Sequence, residues 1–188
     1  MSDSDAYILR ETTGTSGVVL TARAAVALLA EHDIPHLIVG GVAVQEHGYP
    51  RVTIDVAIVV PDVLDAAELL TASLTGPFFR AASAQDRIED RRNGVFIDLL
   101  QAGGVVKHGC KVPFPQPEKI STVLQIVKLE ELVSLKLDSW ANNPAKRLRD
   151  KADVTELILR RKLPRALDVN PAIQSLYLEI WDAIQAEK

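Results

Sequence analysis

A chain of 188 residues, 47% of them hydrophobic, is long enough for one α/β domain with a helical extension and too short for two large independent domains. A formal net charge of −4, from 21 basic and 25 acidic residues, excludes a polycation built to coat nucleic acid, although a local basic face is still allowed. The only cysteine, Cys110, excludes an internal disulfide framework and a cysteine-based zinc cluster, and suits a reducing compartment.

In chain order, the acidic, polar stretch MSDSDAYILRETTGTSG lacks the basic start and apolar run of a secretory signal. Residues 1–18 are therefore read as a flexible tail. No apolar stretch reaches the length of a membrane span, so no membrane partner is expected and the location is read as cytoplasmic. Thr21 to His32 carries Ala, Val and Leu at helical spacing after a threonine placed to cap it. His36 to Val39 is a short β-prone run closed by Gly40-Gly41, and Val42 to His47 is predicted as a short helix ended by Gly48. Val52 to Val60 is rich in β-branched residues and stops at Pro61, while Val63 to Leu74 has helical periodicity. Val95 to Leu100 is a third strand candidate after the turn Arg91-Arg92-Asn93-Gly94. Gln101 to Glu118 reads as a loop or irregular hairpin, a last strand is predicted around Ser121 to Ile126, and helices follow over Leu129–Trp140, Ala145–Leu159 and Ala172–Ala186, with Pro144, Pro164 and Pro171 at the breaks. An α/β region over residues 19–126 is thus followed by a helical region over 127–188.

The chemistry-bearing residues concentrate between Ile38 and Val60, IVGGVAVQEHGYPRVTIDVAIVV. A glycine pair between a strand and a helix lets backbone N–H groups approach a phosphate, although such turns are also common without any ligand. Asp55, flanked by Ile54 and Val56, is costly to bury unless it meets a cation or hydrogen bonds. Asp98 repeats the pattern in Phe96-Ile97-Asp98-Leu99-Leu100. If their strands are neighbours, the two carboxylates converge on one metal; otherwise they cap loops or pair with Arg51 or Arg92.

This text resembles the signature of the polymerase-beta-type nucleotidyltransferase superfamily, in which a Gly-Gly or Gly-Ser turn precedes an Asp-x-Asp strand and a third acidic residue lies in a later strand. It is similar in particular to the small prokaryotic branch that includes the abortive-infection AbiE toxins and other toxin–antitoxin nucleotidyltransferases. Gly40, Gly41, Ala43, His47, Gly48, Arg51, Thr53 and Asp55 fall on the pattern GG.A...HG..R.T.D.D. Downstream, Glu131 to Lys136 is similar to that branch's lysine-bearing helix, and Arg149 to Val154 to its Lys/Arg-Asp-x-x-Asp helix. The likeness runs over about residues 20 to 160. It implies a mixed sheet flanked by helices with a C-terminal helical region. It also implies a nucleoside triphosphate on Gly40, Gly41, Arg51, Thr53 and Lys136, magnesium held by Asp55 and its partner carboxylate, and Asp98 orienting or deprotonating the attacking hydroxyl. The acceptor would be an RNA end, a protein hydroxyl or a small molecule, and the partner a cognate toxin or antitoxin; no DNA-specific motif is present.

One departure bears on activity. Where the family carries its second aspartate, this chain carries Ala57. Residues 55 and 57 of a strand point to the same face, so the family pair delivers two carboxylates to its metals and this chain delivers one. Magnesium binding is expected to be weakened or lost, and whether the chain is an enzyme is left open. The chain is read as a natural degenerate member kept for binding, as an enzyme disabled by an alanine placed there, or as an active variant that borrows Asp62 or Glu89. Two function classes follow: a present or former nucleotidyltransferase, and an inactive regulatory module acting through a partner protein. His32, His36 and His108 show no metal-ligand spacing, and His47 reads as a packing or hydrogen-bonding residue. The basic runs 146–149 and 160–162 are solvated helix faces or a guide for an RNA acceptor, with Asp150 and Asp153 pairing locally with Arg147, Arg149 and Lys151. Trp140 and Trp181 are read as core.

Overall fold

The computed structural model describes residues 16–80 and 87–186. Most of the tail read from the sequence, residues 1–15, lies outside the described residues. The first helix, α1 (Gly17–Glu31), begins earlier than predicted because Ser16, not Thr21, caps it: the Ser16 Oγ accepts from the Val19 N–H at 3.1 Å. Thr21 sits inside the helix and donates through Oγ1 to Asp90 at 2.7 Å. Burial raises the pKa of Asp90, but hydrogen bonds from Arg92 and Thr21 outweigh it and hold the carboxyl below its ordinary value.

Strand β1 (Leu37–Val39) runs into α2 (Gly40–Glu46), and β2 (Asp55–Val60) into α3 (Val63–Thr71). Asp62 caps α3, its Oδ1 accepting from Leu64 and Asp65 at 2.8 and 3.1 Å. Strands β3 (Phe78–Arg80), β4 (Arg87–Asp90) and β5 (Phe96–Gln101) follow, then the helices α4 (Leu129–Asn142), α5 (Leu148–Arg161) and α6 (Gln174–Ala186), the last preceded by a 3-10 turn (Pro171–Ile173). The strands form one mixed sheet in the order β1-β2-β5-β4-β3, with β2 and β5 parallel and the other neighbours antiparallel.

Alternation along β2 and β5 divides the core. Val56, Ile58, Val60 and Ile97 face α1 and α3, packing with Val18, Ala22, Val26, Leu29, Ala66 and Leu70. Ala57, Val59 and Leu100 face the other way, against Leu132, Leu135, Val154 and Leu157 of the C-terminal helices. Covering both faces explains why β2 is almost continuously apolar. Asp55 and Asp98 share the parity of Ala57 and Leu100, so they look toward the C-terminal helices.

The strand expected at 121–126 does not form. Only a parallel bridge from Ile126 to Ile38 is made, with the Ile38 N–H donating to Gln125 at 2.7 Å and the Val127 N–H to Ile38 at 3.0 Å. The loop over 101–118 is irregular, as read, and is tied to α4 by Asp138, whose Oδ2 accepts from Lys111 and Val112 at 2.7 and 2.8 Å. Among the described residues no helix is long and apolar enough to cross a membrane.

Candidate functional site

The register places Asp98 directly opposite Ala57 on β2 and opposite Arg87 on β4, so Ala57, Asp98 and Arg87 form one row on one face. The neighbouring row is Asp55, Phe96 and Glu89. Asp55 and Asp98 therefore lie on adjacent strands and on the same face of the sheet, where Asp98 lines the cleft with Gly40 at its edge and Asp55 stands one row beyond the lining. Gly40 adopts φ +67, and a Cβ there would stand 3.2 Å from the Ala57 Cβ. Gly41 is closer still to its surroundings: an added Cβ would lie 2.2 Å from Thr53 Oγ1. The turn needs glycine at 40 for its left-handed backbone and at 41 for the approach of Thr53.

Sequence reasoning missed Arg87. Its Nε donates to Asp98 Oδ1 at 2.6 Å and its Nη2 to Oδ2 at 3.2 Å, while Nη2 also lies 3.7 Å from Asp55 Oδ2. The guanidinium stacks 4.5 Å above the Phe96 ring. One fixed cation thus serves both carboxylates. The signal was present in the chain: a strand at 95–100 entered through a turn at 91–94 calls for a partner strand just before it, and an antiparallel hairpin there sets 87 against 98.

Arg51, Lys136, Asp150 and Asp153 make a second cluster, which corrects the local pairing expected for the two aspartates. Arg51 holds Asp153 through two bonds of 2.6 and 2.9 Å. Lys136 lies between Asp150 Oδ1 at 2.7 Å and Asp153 Oδ2 at 2.8 Å, and Ser139 donates to Asp150 at 2.8 Å. All four charges are largely buried, Asp153 at 1% side-chain exposure. The cluster joins the segment before β2 to α4 and α5. Arg51 therefore pairs across to α5 and not with Asp98, and Lys136 reaches the cleft wall already engaged by two carboxylates. Thr53 is buried, with Oγ1 donating to Asp55 Oδ1 at 3.3 Å.

The cleft between the sheet and α4/α5 encloses about 390 Å³, within the range of small-molecule sites, roughly 300–1,000 Å³. Its apolar wall includes Val39, Leu100, Val106, Phe114, Leu132 and Leu135, and its polar residues are Arg87, Asp98, Lys136, Ser139, Arg147 and Asp150. Arg147, just before α5, is exposed and makes no ion pair among the described residues.

These donors do not fit a divalent magnesium site. Magnesium wants near-octahedral oxygen ligation, yet Ala57 supplies no oxygen and the oxygens of Asp98 are taken by Arg87. Among the described residues no group of three His, Cys, Asp or Glu side chains is placed to hold a metal. Neither alternative carboxylate repairs this. Asp62 caps α3 beyond the opposite end of β2, and Glu89 stands on the far side of Phe96 from Asp55. His47 is a hydrogen-bonding residue, its Nε2 lying 2.7 Å from the Val127 carbonyl.

No protein-family model matches the sequence, and no curated relative matches it. Among solved structures, the chain is similar to the solution structure of the antibiotic-resistance factor ANT(2'')-Ia, at 13% identity and a TM-score of 0.49, over 89% of this chain and 91% of that one.

Proposed function

We propose that this chain is a nucleotidyltransferase-like protein that binds a nucleoside triphosphate in the cleft between its sheet and α4/α5, and that metal-dependent transfer of the nucleotide to an acceptor has been lost. The observation that carries this reading is the alanine at position 57, which stands between Gly40 and Asp98 where the resembled family has a carboxylate. The glycine turn, the apolar wall and the guanidiniums of Arg87 and Arg147 offer a base and a phosphate tail what each requires. Asp55 and Asp98 are retained from a transferase ancestor. The protein then works by occupying nucleotide or through a partner protein, and the resemblance favours a cytoplasmic toxin–antitoxin setting.

A second reading, residual transfer to an RNA, protein or small-molecule acceptor, rests on the adjacency of Asp55 and Asp98. Labelled nucleoside triphosphates, offered with magnesium and an extract of RNA and protein to the native chain and to Ala57→Asp, separate the two. Binding without transfer by the native chain is expected. Transfer of label by the native chain, abolished by Asp98→Asn, would overturn the loss of activity; absence of nucleotide binding in any buffer would overturn the nucleotide reading itself.

A further inference from the structure

We infer that Arg87 is a resident counter-ion that replaces the divalent cation of the site, so that the cleft receives a nucleotide's polyphosphate without metal, on the guanidiniums of Arg87 and Arg147. The nucleotide part rests on the function proposed above; the counter-ion part rests on the pairing of Arg87 with Asp98 and Asp55 and on the metal that the resemblance implies.

A guanidinium keeps its charge at any physiological pH and matches a carboxylate edge with two parallel bonds. Arg87 does this to Asp98 at 2.6 and 3.2 Å and adds Asp55 at 3.7 Å. Its position is set by the backbone, because β4 pairs Arg87 with Asp98 in register, and by the Phe96 ring 4.5 Å beneath it. A divalent ion entering between Asp55 and Asp98 would have to break the Arg87 fork, and would then find two carboxylates where the full site presents three. Restoring one ligand at position 57 does not remove that obstacle. The site has lost its metal twice over, by Ala57 and by Arg87.

What the guanidinium leaves is suited to an anion. Nε and Nη2 of Arg87 are committed to Asp98, and Nη1 makes no hydrogen bond among the described residues. The lining carries three cations, Arg87, Lys136 and Arg147, against two carboxylates, Asp98 and Asp150. Lys136 is consumed by Asp150 and Asp153 and the Nε/Nη2 edge of Arg87 by Asp98, which leaves Arg87 Nη1 and the whole guanidinium of Arg147, which makes no ion pair among the described residues, to meet phosphate oxygens.

Two measurements test this on the full chain. In the first, Mn2+ alone is titrated and followed by electron paramagnetic resonance. The native chain and Ala57→Asp should leave the ion free, while Ala57→Asp/Arg87→Ala should bind it, with Ala57→Asp/Arg87→Gln as a second version should the alanine disturb folding. Mn2+ binding by Ala57→Asp as tight as by both double variants, or binding by the native chain that Asp98→Asn abolishes, would overturn the counter-ion role. In the second, ATP affinity is measured by calorimetry in excess EDTA and in millimolar magnesium. Equal affinities are expected, each falling about tenfold or more in Arg147→Ala, the loss of a charge-assisted contact. Binding only with magnesium would overturn the inference while leaving the proposed function intact. Binding in neither buffer would overturn the proposed function and the phosphate part with it, and the Mn2+ titration would still decide the counter-ion part.

Discussion

Removing Asp153 should be among the most damaging single changes in the protein. Its carboxylate is 1% exposed and accepts from Arg51 at 2.6 and 2.9 Å, with Lys136 2.8 Å away. The four charges of the cluster cancel, so Asp153→Ala leaves a net buried positive charge. Lys136 retains Asp150 and is partly compensated; Arg51 retains a backbone contact, to the Val52 carbonyl at 2.9 Å, and is the group left stranded. Breaking a buried pair by deleting one partner costs about 3–5 kcal/mol, and a domain of this size loses roughly 2–4 °C of Tm per kcal/mol. The expected effect is therefore a fall of ~6–20 °C in Tm. A protein with about 5–15 kcal/mol of stability survives the change and can be measured. Urea unfolding followed by the fluorescence of Trp140 and Trp181 gives the free energy directly, both tryptophans lying on the C-terminal helices. Arg51→Met/Asp153→Ala should recover at least ~1 kcal/mol relative to Asp153→Ala, because the stranded charge has gone. A loss below about 1 kcal/mol in the single variant, or no recovery in the double, would refute the picture of a buried, mutually dependent network.

Two further outcomes follow from local geometry. Gly41→Ala puts a Cβ 2.2 Å from Thr53 Oγ1 and 2.8 Å from Thr53 Cβ, and should cost ~1–3 kcal/mol by overpacking; thermal melts should show part of that loss returned in Gly41→Ala/Thr53→Ala, which removes the nearest atom. Burial pushes the phenol of Tyr177 up to about 12 while its O–H donates to the Pro164 carbonyl at 2.7 Å. Its folded-state pKa exceeds the unfolded value of about 10, so its contribution, of order 2–3 kcal/mol, is complete below that pH and is lost as pH rises from about 10 toward 12. Urea midpoints across that range should fall more steeply in the native chain than in Tyr177→Phe, and parallel curves would refute it.

The sequence carried the elements around the site well because their signals are local. The glycine pair, the β-branched run before Pro61 and the proline-bounded helices each announce themselves within a few residues, and the helices α3, α4, α5 and α6 form within a few residues of where the pattern places them. The isolated aspartates in apolar strands come out on adjacent strands and on one sheet face, because parity along β2 and β5 is a local property. Partnership was less legible. Arg51, Lys136, Asp150 and Asp153 come from three separated segments, and charges adjacent in sequence on α5 invited local pairs where burial selected distant ones. Strands β3 and β4 went unread because each is short, and with β4 went Arg87, whose importance comes entirely from lying across from Asp98. The missing strand at 121–126 has a similar cause: the segment pairs with β1 through one bridge, too little to extend a ladder.

That single bridge has a consequence for how other chains can approach. With Gln125 to Val127 laid along the outside of β1 and bonded to it on both sides of Ile38, the sheet margin beside the cleft is already closed. A partner that docked by adding a strand would therefore have to enter from the β3 margin, with β3, β4 and β5 between it and the Ala57 strand. Any protein that senses whether the cleft is filled must instead touch its rim, where Arg147 stands before α5.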